Sequence, residues 1–285
     1  MTRLQNLPEC EDDGLVIPEV GSWALEKYRR VWYYDQILST GMKERWHQRV
    51  YIDVFSGPGY ARVRGSDLIV AGSPILSLKV KDPFTKYIFC EKDGNLLGAL
   101  MERVAREAPE ADVDFVHGDA NDLVDEIIGR IPPFSRGNTQ LSFCFVDPFS
   151  VDLSFDTIRA LGNARSMDFL ILLALGMDAN RNLGLYLKEE HDRIERFLGD
   201  AAWREKWEDA QRNGYTFIYF LAVHYIQAMS TFGYLGTTPD QLHPVRSDTK
   251  NLGLYYLAFF SKSDLGRKLL KDVLHYSSEQ LGFAI

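Results

Sequence analysis

Residues 51–59 read Tyr-Ile-Asp-Val-Phe-Ser-Gly-Pro-Gly, a short β-rich run that is cut off by a turn. Four further apolar runs follow, each separated from the last by a segment of helix length, at 87–90, 113–116, 141–146 and 169–174. Strands that alternate with helices form parallel sheets that are covered on both faces. The sequence therefore predicts an α/β fold with a doubly wound, mostly parallel, Rossmann-like sheet.

The pattern changes after residue 176, where long polar helices are predicted at 184–198 and 201–213 and an apolar helix at 217–231. A strand at 252–261 and a final helix at 264–276 follow the turn-rich stretch 236–251. We therefore divide the chain into an acidic N-terminal extension (1–22), the sheet core (23–176), a helical insertion before the last strand (177–250), and that strand with its C-terminal helix (251–285).

Composition narrows the class of protein. The chain has 285 residues, of which 46% are hydrophobic, and 32 basic against 40 acidic residues give a net charge of −8. An acidic protein is not drawn as a whole to nucleic acids or anionic membranes. The three cysteines lack CxxC spacing, the histidines lack HExxH spacing, and no apolar run is long enough to cross a bilayer. We expect a cytoplasmic protein without a metal site or a membrane anchor.

The glycine turn at 56–59 discriminates between cofactors. A dinucleotide site places a helix N-terminus directly after its glycines to hold the diphosphate, but Pro58 lacks an N–H and the next helix begins only near Pro74. S-adenosylmethionine has no phosphate, and Gly57 and Gly59 permit the close backbone approach that its amino-acid end needs, next to Asp53. The turn therefore favours S-adenosylmethionine, although Ser-Gly-Pro-Gly also occurs in ordinary tight turns.

Acidic residues follow the next two strands. Glu91 is placed to bind both ribose hydroxyls, and Asp119 to accept a hydrogen bond from the adenine amine. Either residue alone has the simpler interpretation of a strand-end acid or a helix cap. Their order behind the glycine turn favours the cofactor site, and the predicted set is Asp53, Ser56, Gly57, Gly59, Glu91, Lys92, Asp119, Ala120 and Asp147.

Asp147-Pro148-Phe149 ends the fourth strand, beside the position expected for the methyl group. Methyltransferases that modify exocyclic amines carry an acid or Asn here, then prolines and an aromatic residue that stacks on a flipped base. We expect Asp147 to act as the catalytic residue that orients the acceptor, with Pro148 and Phe149 in contact with the substrate. The single proline, where two are usual, leaves open that the motif merely ends a strand.

The stretch 23–64 interleaves basic and aromatic residues against the acidic background of the chain. Such a pattern suits single-stranded nucleic acid, whose phosphates pair with cations and whose bases stack on rings. An amphipathic helix with its aromatic residues inside has the same pattern. Nucleic acid is therefore one predicted partner.

Taken together, these motifs resemble the three-Cys-motif partner (TcmP) proteins, a bacterial family with a class I methyltransferase-like fold. The resemblance rests on 51–59, Gly72-Ser-Pro-Ile75, Gly118-Asp-Ala-Asn121, 146–149, 176–182 and 255–262. It implies a class I methyltransferase-like sheet and a partner protein that resembles radical enzymes with an iron–sulfur cluster. It also adds Arg181 as a substrate-binding residue.

Two functions are consistent with these features. The first is an S-adenosylmethionine-dependent methyltransferase of unknown acceptor, with an amino group of a nucleobase or nucleic acid as the acceptor considered. The alternative is an accessory protein that keeps the fold and acts with the radical-enzyme-like partner, for which the acidic charge, the single proline of 147–149 and the insertion 177–250 argue.

Overall fold

The computed structural model describes residues 6–148, 150–179, 182–241, 244–246 and 253–264, together with Gly266 and Lys268. Its first half contains, in chain order, β1 (Glu9–Cys10), β2 (Glu19–Val20), α1 (Trp23–Met42), β3 (Gln48–Asp53), β4 (Tyr60–Val63), β5 (Ile69–Ala71), α2 (Ser73–Leu78), β6 (Lys86–Glu91), α3 (Gly94–Glu107), β7 (Val113–His117) and α4 (Val124–Arg130). The second half contains β8 (Gln140–Val146), α5 (Phe155–Ala164), β9 (Met167–Leu173), a π-helix (Leu175–Ala179), α6 (Leu183–Tyr186), α7 (Arg193–Leu198), α8 (Trp203–Arg212), α9 (Phe217–Thr231), β10 (Leu235–Gly236), a 3₁₀ turn (Pro239–Gln241), β11 (Pro244–Arg246) and β12 (Gly253–Ser261).

The main sheet has the strand order β10-β12-β9-β8-β3-β6-β7, and β11 pairs with β12 beside this path. Strands β3, β6, β7, β8 and β9 are parallel, whereas β12 is antiparallel to both of its neighbours in the order, β9 and β10. A reversed strand inserted next to the edge of an otherwise parallel sheet is the arrangement of class I methyltransferases. The predicted fold class is therefore confirmed.

Helices cover the main sheet on both faces. Side chains alternate along β3, so that Val50 and Ile52 pack on the side of α4, α5 and α9, whereas Tyr51 packs on the side of α1, α2 and α3. All three of these side chains are fully buried. The chain order of the strands reverses between β3 and β8, which is where doubly wound sheets bind their ligands.

A second sheet was not predicted. The segment after Gly59 forms the hairpin β4-β5, and the N-terminal extension supplies a strand on each side of it, in the order β1-β5-β4-β2. The hairpin strands have only four and three residues, which is too short for an alternating pattern to stand out in the sequence.

Within 177–250, the predicted helix 217–231 is confirmed as α9 and the predicted helix 201–213 as the shorter α8, but the predicted helix 184–198 is wrong. It is divided into α6 and α7 around a turn, and Arg204 donates hydrogen bonds to carbonyl groups of that turn, at Tyr186, Lys188 and His191. These bonds replace helical partners for carbonyls that the break leaves open. The predicted helix 264–276 falls largely outside the described residues. No helix in the described part of the chain has the length and apolarity to span a membrane.

Candidate functional site

The glycine loop crosses the carboxyl end of β6. The backbone N–H of Gly57 donates to Glu91 Oε2 at 2.8 Å, and both the N–H and the hydroxyl of Ser56 donate to the carbonyl of Cys90, at 3.0 and 3.2 Å. Gly57 has φ +60°, and no neighbouring atom lies within 4 Å of the position that a Cβ would take there. The loop is therefore attached to β6 and leaves open space beside Gly57.

Gly59 is constrained more strongly. Its φ is +88°, and a Cβ at this position would lie 2.9 Å from Cγ1 of Ile75 in α2 and 3.0 Å from Cδ1 of Leu100 in α3. Its carbonyl accepts a hydrogen bond from Gly72 N at 2.7 Å, directly before α2. Glycine is thus required here for both the backbone conformation and the packing.

Glu91 connects two backbone segments. Besides the bond from Gly57, its Oε1 accepts a hydrogen bond from Asp93 N at 2.9 Å, which fixes the carboxylate at the start of α3. Because each carboxylate oxygen accepts more than one hydrogen bond, both remain able to bind ligand hydroxyls. The orientation of Glu91 is therefore set before any ligand arrives.

Asp119 lies beyond β7, after Gly118, whose φ is +147°. One of its oxygens accepts hydrogen bonds from the backbone and side-chain nitrogens of Asn121, at 2.9 and 3.0 Å, and the other accepts a bond from Lys92 Nζ at 3.0 Å. Burial acts to raise the pKa of Asp119, but the bonds from Asn121 and Lys92 outweigh it and hold the pKa below its usual value. Asp119 is therefore an ionised acceptor.

Four of the predicted cofactor residues meet in one cleft of about 280 Å³, namely Glu91, Lys92, Asp119 and Ala120. This volume lies just below the usual range for small-molecule sites. The lining also includes Val54 and Phe55 from the segment after β3, Asn121 from the turn after β7, and Val151 and Asp152 from the segment after β8. The acids after β6 and β7 therefore face a shared hollow.

Sequence reasoning missed two arginines of this cleft. Arg193 and Arg196 enter it from α7, and Arg193 Nε lies 3.1 Å from Asp152 Oδ1. They belong to the helical segment after β9, and the sequence of that segment gave no indication that it packs beside the carboxyl ends of β6 and β7. The cleft thus combines acids from the sheet with cations from the insertion.

Asp53 is fully buried at the end of β3, in the middle of the sheet. Its Oδ1 accepts a hydrogen bond from Phe55 N at 3.1 Å, whereas its Oδ2 is buried without a hydrogen-bond partner among the described residues. Burial raises the pKa of Asp53 to about 7, with the hydrogen bond from Phe55 N acting in the other direction. An ammonium group placed beside Oδ2 would satisfy this oxygen.

Asp147 forms a buried ion pair that the sequence did not reveal. Lys27 Nζ of α1 lies 2.6 Å from Asp147 Oδ2, and the two side chains are only 6% and 14% exposed. The ammonium also lies over the rings of Tyr28, at 4.6 Å, and Trp23, at 5.7 Å. Burial alone would lower the pKa of Lys27, but Asp147 outweighs it and the pKa is raised, so Lys27 is charged.

The remaining predicted substrate residues are less informative. Pro148 is buried directly after Asp147, and Phe149 and Arg181 lie outside the described residues. The ion pair of Lys27 could have been anticipated from the position of Lys27 in α1, because Lys27 lies on the same buried face as Ala24, Tyr28 and Val31. A lysine within an apolar stripe requires a buried partner.

Several basic side chains of the stretch 23–64 form ion pairs with acidic side chains of the same protein. Besides Lys27, four of them form ion pairs, which are Arg30 with Glu26, Lys43 with Asp82, Arg62 with Asp12 and Arg64 with Glu19. These pairs reduce the charge that the stretch presents to a phosphate backbone. Binding of nucleic acid by this stretch stays a prediction.

Comparison with known proteins gives a fold-level likeness. No protein-family model and no curated protein matches the chain. A crystallised protein of Legionella pneumophila str. Philadelphia 1, of the family DUF519, is 11% identical, with 88% of this chain and 92% of that one covered and a TM-score of 0.48. The Bacillus cereus O-methyltransferase in complex with SAH is 10% identical, with 82% and 80% covered and a TM-score of 0.48.

A third similar structure is geranyl diphosphate methyltransferase in complex with GPP and sinefungin, at 10% identity, 84% and 78% coverage and a TM-score of 0.42.

Proposed function

We propose that the protein is an S-adenosylmethionine-dependent methyltransferase. The observation that carries this proposal is the shared cleft, in which Glu91 and Asp119 lie at the ends of adjacent parallel strands while Glu91 also holds the glycine loop through Gly57. A ribose diol fits the free lone pairs of Glu91, and the adenine amine fits Asp119. The nucleoside half of the cofactor would thus lie across β6 and β7.

The amino-acid half of the cofactor fits the glycine loop. The open space beside Gly57 permits close approach, and the unpartnered Oδ2 of Asp53 is a buried acceptor for an ammonium group. A diphosphate finds no counterpart here, because Pro58 has no N–H and α2 begins only at Ser73, after the hairpin β4-β5. When bound, S-adenosylmethionine supplies an activated methyl group, and the protein contributes mainly the alignment of donor and acceptor.

For the acceptor, we propose an amine, with the exocyclic amino group of a nucleobase as the substrate class. Lys27 engages Asp147 Oδ2, which leaves Oδ1 to accept a hydrogen bond from the acceptor N–H. Asp147 is the catalytic residue of this proposal, and Lys27 is a positioning residue that fixes its carboxylate. The rings of the buried Tyr28 and the partly buried Trp23 lie against the ammonium and add cation–π attraction to the ion pair.

Calorimetric titration with S-adenosylhomocysteine tests the cofactor. We expect saturable binding that Glu91→Ala weakens at least tenfold, since the substitution removes the ribose acceptor and releases Gly57 N–H. Glu110→Ala, on the exposed turn after α3, is the matched control and should bind like the wild type. NAD⁺, which carries a diphosphate, should give no heat. Absence of binding at millimolar S-adenosylhomocysteine by a folded wild-type protein would refute the proposal.

Transfer of a labelled methyl group tests the acceptor. Adenine- and cytosine-containing oligonucleotides incubated with methyl-labelled S-adenosylmethionine should gain label with the wild type. Asp147→Ala should abolish the gain while leaving S-adenosylhomocysteine affinity within about threefold, because Asp147 does not line the nucleoside cleft. Binding of cofactor without label on either base would contradict the acceptor proposal alone.

A second candidate function is the accessory role with a partner protein, to which the resemblance to three-Cys-motif partner proteins belongs. The observation that favours it is the distribution of exposed apolar side chains. Five of the eight exposed large hydrophobic residues found among the described residues lie within 177–250, and they are Leu185, Leu187, Tyr215, Tyr219 and Leu235. The rings of Tyr215 and Tyr219 lie together, with centroids 5.4 Å apart, and contiguous exposed apolar side chains mark interaction surfaces.

Affinity purification separates the two functions. If the protein is an accessory, tagged wild type should retain a radical-enzyme-like iron–sulfur protein, and Tyr215→Ser/Tyr219→Ser should release it, whereas Asp147→Ala should not. If no partner is retained, or if Asp147→Ala releases it, the accessory role is refuted.

A further inference from the structure

A second cavity, of about 700 Å³, opens at the edge of the main sheet opposite to the candidate site. Leu141 and Met167 line it near the beginnings of β8 and β9, and Arg165 and Lys262 line it from the connections after α5 and β12. The cofactor cleft lies instead at the strand ends occupied by Glu91 and by the turn after β7. This second cavity is therefore separate from the site described above.

Two cations of the cavity have few partners. Arg165 donates from Nη1 to the carbonyl of Ala164 at 2.7 Å, and its Nε is buried without a hydrogen-bond partner. Lys262 Nζ donates to the carbonyl of Gly162 at 3.1 Å. Within the part of the chain that the structure describes, neither forms an ion pair with a carboxylate, although the chain as a whole is acidic. Most of their N–H donors therefore remain unused.

Capping of α5 explains only part of this arrangement. Cations are favourable at a helix C-terminus, and both side chains reach carbonyl groups there. Lys262 also lies over the rings of Phe232 and Tyr234, and burial lowers the pKa of its ammonium. A cap requires only one cation, whereas here two reach the same helix end and neither has a carboxylate partner among the described residues. An anion in the cavity would pair with both of them.

The opposite wall of the cavity is apolar. It is formed by the end of α1, the loop before β8 and the start of β8, with Met42, Trp46, Pro133, Phe134 and Leu141. Phe134 is 57% exposed, which is unusual for a large aromatic side chain without a partner. The carboxylate in the lining, Asp168, is itself buried.

We propose that this cavity binds a small organic anion, in which a carboxylate, sulfonate or phosphate group contacts Arg165 and Lys262 and an aromatic or aliphatic body packs against Trp46 and Phe134. Arginine is suited to bidentate recognition of such planar or tetrahedral anions, and the lysine adds a point charge. A purely apolar ligand would leave the two cations desolvated and unpaired. The amphipathic lining therefore selects for both parts of the ligand.

Fluorescence titration with 8-anilino-1-naphthalenesulfonate tests the proposal, with N-phenyl-1-naphthylamine as the neutral analogue that lacks the sulfonate. The folded wild type should bind one molecule of the sulfonate saturably. Arg165→Met and Lys262→Met should each weaken it at least tenfold and leave the affinity for the neutral analogue within about twofold. Arg136→Met, an exposed arginine of the loop before β8, is the matched control and should change neither.

Two further measurements test the same anion site. Phe134→Ser, on the exposed wall, should weaken both dyes at an unchanged melting temperature, so that the test does not depend on the cation variants alone. S-adenosylhomocysteine should not displace the sulfonate. Equal sulfonate affinity in the wild type and both cation variants, unsaturable binding, or displacement by S-adenosylhomocysteine would each overturn the proposal, whatever the cofactor titration gives.

Discussion

Replacing Lys27 by methionine should reveal how strongly the buried ion pair couples α1 to the end of β8. Lys27→Met leaves the carboxylate of Asp147 unpaired in a site where the two side chains are 6% and 14% exposed. Removing one partner of a buried pair typically costs 3–5 kcal/mol, and the partial exposure of Asp147 places the expected loss near the lower end, at about 3 kcal/mol. Asp147→Leu should cost about the same, because it leaves the lysine unpaired.

The double variant Lys27→Met/Asp147→Leu distinguishes a pair from two independent residues. It replaces the ions by apolar side chains of similar volume and should cost less than either single variant, whereas independent residues would lose the sum, about 6 kcal/mol. The free energy of unfolding in urea, followed by tryptophan fluorescence, measures each step. Arg130→Met is the control, since its pair with Glu126 is 42% and 45% exposed and should contribute less than about 1 kcal/mol. Additive losses, or a Lys27→Met loss no larger than that of the control, would refute the reasoning.

Three further predictions concern the glycine loop and its supports. Because the pKa of Asp53 is raised to about 7, its carboxyl group is mostly protonated at pH 6, and a bound ammonium should displace that proton. Binding of S-adenosylhomocysteine at pH 6 should therefore release protons, which calorimetry in buffers of different ionisation enthalpy measures. Asp53→Asn should abolish the release. Gly59→Ala should lower the free energy of unfolding, measured in urea, by about 2–3 kcal/mol, because the position has a positive φ and the added Cβ would press against Ile75. Gly57→Ala should cost only about 1 kcal/mol, because there the backbone conformation is strained but the Cβ has space. The hydrogen bonds that Asp13 accepts from Arg103 hold its pKa far below the unfolded value of about 3.9. Ionised Asp13 therefore stabilises the fold above about pH 3.9, and this stabilisation is lost as the pH falls further. When the melting temperature is measured at decreasing pH, Asp13→Asn should lose less than the wild type.

Local signals predicted the main sheet well. Each predicted strand ends in the structure within a few residues of the polar or turn-forming residue that closes its apolar run, as at Asp53 and Glu91. The helices after these strands carry apolar residues at helical spacing, as α3 does with Leu100 and Val104. The correct strand ends also explain why Glu91 and Asp119 were expected to lie close together, because adjacent parallel strands have their carboxyl ends at the same edge of the sheet.

Features that depend on distant contacts left no comparable signal. Lys27 and Asp147 are 120 residues apart, and only the position of a lysine on an apolar helix face pointed to a buried partner. Strand β10 has two residues and exists because β12 offers an edge to pair with. The break between α6 and α7 depends on Arg204, whose guanidinium lies beyond the turn in sequence. Arg193 and Arg196 reach the cleft only because α7 packs back against α5.

The glycine loop of the candidate site is supported by residues far from it in the sequence. Arg103 of α3 has no exposed side-chain surface, and it donates to the carbonyl of Pro58 at 2.7 Å and to both oxygens of Asp13 at 2.7 and 2.9 Å. One buried guanidinium thus ties the loop to the N-terminal extension, which also supplies β1 and β2 to the small sheet around the hairpin. Removal of the extension would leave Arg103 buried beside Pro58 without its carboxylate, a costly state that repositioning of the loop would relieve. The acidic extension therefore contributes to the stability of the site, although none of its described residues, 6–22, lines the cleft.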